Sequence, residues 1–263
     1  MSINYEELKE RAPSVFSDSH YGQTSERYLH IKTSDVISLF QEKGWEIQTA
    51  SEKNVRVEDR RGFQKHLVIL KHNDYKIEDE GNLNVVIRNS HDQTNSLELF
   101  YGFMRVVCGN QLMVRNLGTG GHSIFRHYKK NREPIQTKIN QVLNGFDGFV
   151  EEIRFLKAKE LSPDKVKLFV KNAVDLRFGS DFVGDQESIE NSVLRVRRTE
   201  DQGFDSWKVL NRVQETFVKG LGRYIVPSVG QRKIKSLTSI DRLVSFNNDL
   251  WQLAKKYKSD QCF

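Results

Sequence analysis

The sequence predicts an α+β protein: an antiparallel sheet with a helix in the N-terminal half, and a helical C-terminal half packed against it. Three observations carry this. Up to about residue 115, apolar residues come in short strand-like runs separated by charged, turn-rich gaps. From residue 135 onward they recur at spacings of three and four. No low-complexity tract or internal repeat separates the two halves. The predicted organisation is an N-terminal arm (1–30), an antiparallel α+β core (31–121) and a helical region (122–263) forming one body with it.

The arm holds one short helix over Tyr5–Arg11. Ser34-Asp35 then caps an amphipathic helix that points Val36, Ile37, Leu39 and Phe40 inward and closes at Gly44. Residues 45–50, 66–72 and 83–89 read as strands, with "EDRRGF" and "EDEGN" in the gaps. In 97–108, Leu97, Leu99, Tyr101 and Phe103 share one face, and Phe100, Met104 and Val106 the other. Apolar residues on both faces predict a central strand. Gly109-Asn110 tolerates positive φ and predicts a hairpin turn into 112–115.

In the second half Pro134 suits a first helical turn. Ile135, Ile139, Val142, Leu143, Phe146, Phe149, Val150, Ile153 and Leu156 keep helical spacing, with Gly145 and Gly148 bending or loosening the run. Ser162-Pro163-Asp164 starts another helix, with Val166, Phe169, Val170 and Ala173 inward. The polar stretch 179–205 reads as a long loop or short ribbon. Trp207, Leu210, Val213, Phe217 and Leu221 form a third stripe, and 222–239 an extended basic loop. Ile240, Leu243, Val244, Leu250, Trp251 and Ala254 mark the last helix.

No apolar run approaches the ~20 residues that span a bilayer, and the first twenty residues are charged throughout, unlike a secretory leader. Two cysteines, Cys108 and Cys262, offer neither a disulfide framework nor a zinc site. These features predict a cytoplasmic protein, in the host cytoplasm if phage-encoded, with no membrane partner.

Charge is segregated. Between Leu99 and Arg132 there is no Asp or Glu, and Arg105, Arg115, Arg126, Lys129, Lys130 and Arg132 give a local +6. Between Thr216 and Ile240 there is again none, and Lys219, Arg223, Arg232, Lys233 and Lys235 give +5. These segments hold +11 of a chain whose net charge is +6, so the remainder is −5. Such segregation is the footprint of a polyanion binder. Tyr128 and Tyr224 lie inside the basic segments, where a base can stack while cations hold the backbone.

Catalytic signatures are missing: there is no phosphate-binding Gly-rich loop with Lys-Ser/Thr, no nucleophile elbow and no His-Glu-x-x-His. No cofactor is predicted. His122 and His127, five apart, do not share a helical face, which disfavours a metal set with His91 and Asp92. Asn89-Ser90-His91-Asp92 reads first as a polar turn that ends a strand. Cys108 reads as a small buried residue. A nucleophile pairing of Cys108 with His91 is the competing enzyme reading.

The stretch "NSHDQTNSLELFYGFMRVVCGNQLMV" resembles the Asn-Ser-His-Asp, spacer, Gly-x-x-Arg-x-Val-Cys-x-Asn pattern of the phage- and plasmid-borne family called domain of unknown function 932. Looser matches are "IFRH", the Trp-x-x-x-Asn-x-x-x-Glu helix in "SWKVLNRVQETFVKGLG", and "SIDRLVSFNNDLWQLA". The resemblance covers about residues 28–255. Where relatives often have Asn-Gly, this chain has Asn110-Gln111. The resemblance implies a mobile-element or phage setting and no settled activity. Asn89, His91, Asp92, Cys108 and Asn110 match the motif without an assigned role.

The leading expectation is a non-catalytic DNA-binding protein of phage or plasmid replication or recombination, handling single strands. Its contacts are Arg105, Arg126, Lys129, Lys130, Arg132, Arg223, Tyr224, Arg232, Lys233 and Lys235. The alternatives are a module that blocks or redirects a host protein by docking its basic segments on an acidic surface, and an enzyme centred on His91, Asp92 and Cys108. An oligomer fits any of these.

Overall fold

The computed structural model describes residues 2–22, 26–78, 80–105, 111–115, 121–129 and 133–257. The expected turn at Gly109-Asn110, together with Cys108, Lys130, Arg132 and Cys262, lies outside the described residues. The fold is α+β, with the antiparallel sheet in the N-terminal half and helices dominating the C-terminal half. The chain divides into two compact units, Met1–Phe149 and Val150–Phe263.

In the first unit, α1 (Tyr5–Arg11) begins with a capping box: Glu7 N–H donates to Asn4 Oδ1 at 2.9 Å, and Asn4 N–H to the Glu7 carboxylate at 3.0 Å. A 3₁₀ turn, Pro13–Phe16, follows. Helix α2 spans Thr33–Gln41, with Lys32 at the N-cap making no side-chain capping bond to the helix. The Ser34-Asp35 cap expected from sequence is therefore not used. The hydroxyl that enters this helix belongs to Thr33, and it bonds the His66 ring instead.

The strands are β1 (Glu46–Glu52), β2 (His66–Ile77), β3 (Gly81–Asn89), β4 (Leu97–Arg105), β5 (Gln111–Val114) and β6 (His122–Phe125). Strands β1 to β4 form an antiparallel meander. The far edge of β4 is shared: residues 101–104 pair with β5 and 97–100 with β6. Strand β6 was not expected, because its four residues follow a Gly-rich stretch and are too few to show a period. Register places Glu52 opposite His66, and His66 opposite Asn89, a polar row across three strands. Beside it, Val68, Leu70, Val85, Ile87, Leu99 and Tyr101 are all buried. Tyr101 packs on Phe146 and Phe149 with ring centroids 4.9 and 5.1 Å apart, and Trp45 stacks on Phe146 at 5.8 Å. Gly145 ends α3 (Ile135–Asn144), and α4 (Phe146–Ala158) starts at once, so the single helical stripe is two helices.

The second unit contains α5 (Pro163–Phe178), α6 (Gln186–Leu194), α7 (Ser206–Lys219), the hairpin β7 (Arg223–Val226) and β8 (Gly230–Lys233), and α8 (Ile240–Lys256). The stretch 179–205, expected as loop or ribbon, contains α6, and the expected loop 222–239 contains the hairpin. Helix α7 is central. Its buried polar residues are held: the Asn211 amide donates to Trp207 C=O at 2.7 Å, Gln214 to Asn247 at 3.0 Å, and Arg198 forks onto Glu215 at 2.6 and 2.8 Å. The Trp-Asn-Glu spacing of this helix thus serves internal bonding.

Candidate nucleic-acid interface

The end of α5, the hairpin and the start of α8 surround a cavity of about 510 Å³. Tyr224, Arg232, Lys233 and Lys235, all expected as contacts, line it. Arg177 and Arg242 line it too, and sequence reasoning missed both. Each follows an acid closely, Asp175 and Asp241, so neither stands out in a scan of local charge. The signal available was helical position: Arg177 lies in the last turn of α5, and Arg242 in the first turns of α8. Among the described residues no carboxylate lines the cavity, although Asp241 is exposed in the first turn of α8. Among the same residues, none of these five cations is in an ion pair.

The walls give the cations their geometry. Arg177 donates to the Lys235 carbonyl at 2.7 Å and lies over the Phe178 ring at 5.2 Å. Burial, then the neighbouring Arg242 charge, lowers its pKa from the ordinary guanidinium value. Arg177 and Arg242 thus bring like charge to one cavity, with no carboxylate among its described lining residues. Tyr224 packs on Phe178 and Phe182 at 5.6 and 5.3 Å and remains half-buried, so part of its ring faces outward.

The other expected contacts are dispersed. Arg223 is exposed on β7 and donates to Gln231 at 2.8 Å, outside the cavity lining. In the first unit, Arg126 and Lys129 are exposed. Arg105 is 4% exposed with Glu80 at 3.9 Å, so its guanidinium lies inside the fold and off the surface. Arg115 pairs with Glu98 at 3.0 Å, alongside Arg88 at 3.3 Å.

The Asn-Ser-His-Asp motif builds something different. Glu52 accepts the Ser14 hydroxyl at 2.7 Å, which leaves Ser14 Oγ to accept from His66 Nδ1 at 2.9 Å. His66 Nε2 then accepts from the Thr33 hydroxyl at 2.7 Å, and Thr33 Oγ1 accepts from the Asn89 amide at 3.0 Å. Asn89 Oδ1 faces His127 Nε2 at 2.9 Å. The bonds run in one direction from His127 to Glu52. They tie three strands to α2 and to the 3₁₀ turn. His127 Nδ1 faces the Leu29 carbonyl at 3.0 Å, so a neutral ring cannot satisfy both of its oxygen neighbours. Burial, the largest influence, nevertheless lowers its pKa.

His91 is fully buried, with its ring 4.6 Å from His30 and 5.3 Å from His66. Among the described residues neither ring nitrogen has a well-formed hydrogen bond, and the Ser14 backbone is the neighbour that favours the protonated ring. Burial and the adjacent histidines push its pKa down to about 2, while burial holds His66 at about 4. Asp92 turns its Oδ1 to the Thr94 backbone N–H at 3.1 Å, and Ser90 Oγ accepts Asn95 N–H at 2.9 Å. These local bonds make 90–95 an Asx-type turn. Among the described residues no three His, Cys, Asp or Glu converge to hold a metal ion. A small cleft of about 300 Å³, lined by Tyr28, Gln93, Thr94, Asn95, Ser96 and His127, opens beside the turn.

Fold and sites define a class: an α+β protein with a meander sheet crossed by a row of hydrogen-bonded polar side chains, and a helical unit opening on a cavity whose cations have no ion-pair partner among the described residues. The chain belongs to the family described as Domain of unknown function (DUF932), whose model matches residues 20–251. It is similar to UPF0380 protein YafZ of Escherichia coli K12, 29% identical over 257 residues that cover 96% of this chain and 90% of that protein. It is also similar to UPF0380 protein YfjQ of the same organism, 28% identical over the same shares. No solved structure matches the chain. No helix among the described residues is long and apolar enough to cross a membrane.

Proposed function

We propose that this is a non-catalytic DNA-binding protein acting on single strands in phage or plasmid replication or recombination. The observation that carries the reading is the convergence of Arg177, Arg232, Lys233, Lys235 and Arg242 around one cavity with no carboxylate partner among the described residues. Unpaired cations held together cost repulsion, and a polyanion relieves it by releasing counterions on binding. Tyr224 adds a ring on which a base stacks, an interaction worth about 1–3 kcal/mol per base.

The triple substitution Arg232→Ala, Lys233→Ala and Lys235→Ala tests this. All three side chains are exposed, so the fold should persist. Affinity for a single-stranded oligonucleotide should fall at least tenfold, and the slope of log K against log salt should flatten by roughly 0.7 for each phosphate that is no longer neutralised. Unchanged affinity and slope would remove the cavity from the interface.

A further inference from the structure

We infer that the cavity receives the end of a strand, with a terminal phosphomonoester between Arg177 and Arg242 and the terminal base against Tyr224. This rests on the DNA-binding reading above and specifies which part of the strand is bound. Three observations lead to it.

The first is size. A cavity of about 510 Å³ holds one nucleotide, whereas a track along a strand needs an open groove several nucleotides long. The second is charge. An internal phosphodiester brings one negative charge, and a terminal phosphomonoester brings about −1.5 to −2 at pH 7. Five cations without a carboxylate among the lining residues suit the larger charge. The third is the donor set. Arg177 and Arg242 line the same cavity, close enough for the Arg242 charge to weaken the hold of Arg177 on its proton, and no acid stands among the lining residues to offset it. Two guanidinium forks can share the three free oxygens of a monoester; a diester offers only two. Arg177 is also fixed in place by the Lys235 carbonyl and the Phe178 ring, so little ordering is left for the ligand to impose.

The experiment compares three dT12 oligonucleotides by fluorescence anisotropy at pH 7.5: one with a 5′-phosphate, one with a 3′-phosphate, and one with hydroxyls at both ends. One phosphorylated oligonucleotide should bind at least tenfold tighter than the hydroxyl-ended one, and which of the two does so assigns the end. Arg242→Gln, at an exposed position, should reduce that preference below about threefold, and Arg242→Lys should keep only part of it. Equal affinity for all three oligonucleotides overturns this inference and leaves the DNA-binding reading standing. Failure of all three to bind at low salt overturns both.

Discussion

His91 is a buried polar ring with no well-formed hydrogen bond among the described residues, and that has a thermodynamic signature. Its folded-state pKa is about 2 and that of His66 about 4, both below the ordinary 6.5. The unfolded chain therefore binds protons that the folded chain refuses, and stability falls as pH drops below about 6.5. At pH 5 each ring contributes a loss of roughly 2 kcal/mol relative to pH 7. Thermal melts at pH 7 and pH 5 should show a combined loss of about 4 kcal/mol. His91→Leu should remove about half of it and raise stability at pH 7 by about 1–2 kcal/mol, because it deletes an unsatisfied buried group. A variant that melts lower at pH 7 would mean that the ring is bonded after all. The motif was visible in the sequence as four consecutive polar residues. Its partners Ser14, His30, Thr33, Glu52 and His66 lie 25 to 77 residues away in the chain, and only strand register and helix packing bring them together.

At the scale of elements, legibility followed the amount of apolar patterning. Helix α7 was readable because Trp207, Leu210, Val213 and Phe217 recur with a helical period and are all buried. Helix α6 was not, since only Ile189 and Val193 of its nine residues are buried. Strand β8, Gly-Gln-Arg-Lys, is exposed throughout, so no alternation marks it as a strand. Its place is set instead by the end of α7. Gly220 takes φ +70° there, and a Cβ would lie 2.6 Å from Ile234 O and from Ser236 N. An L residue meets both the left-handed conformation and the backbone of the cavity wall. Gly220→Ala should cost about 1–3 kcal/mol in denaturant unfolding. It should also weaken oligonucleotide binding, since Lys235 and Ser236 carry the wall. Reduced stability with unchanged binding would show that the wall adjusts independently of the helix end.

Across the whole molecule, net charge says less than pairing. The two acid-free segments looked equivalent in sequence, yet the structure treats them differently. In the first, Arg105 and Arg115 lie near Glu80 and Glu98, leaving Arg126 and Lys129 as its exposed described cations. The second, with Arg177 and Arg242 added from neighbouring helices, supplies a converged set. The five cations of this cavity should therefore neutralise five phosphate charges at most. For a single strand that corresponds to a salt slope of no more than about −3.5. A measured slope near about −7 would bring Arg126, Lys129 and further cations into the interface.

The divided edge of β4 has a consequence for how the sheet breathes. Its outward-facing amides are covered by two separate four-residue strands, so no single opening event bares them all. Deuterium uptake should resolve three groups within one strand: amides bonded to β3, amides under β5 and amides under β6. The first group should exchange slowest, because β3 pairs with β4 along nearly its whole length. The last two should exchange at rates that vary independently with temperature, each reporting the fraying of its own short cover.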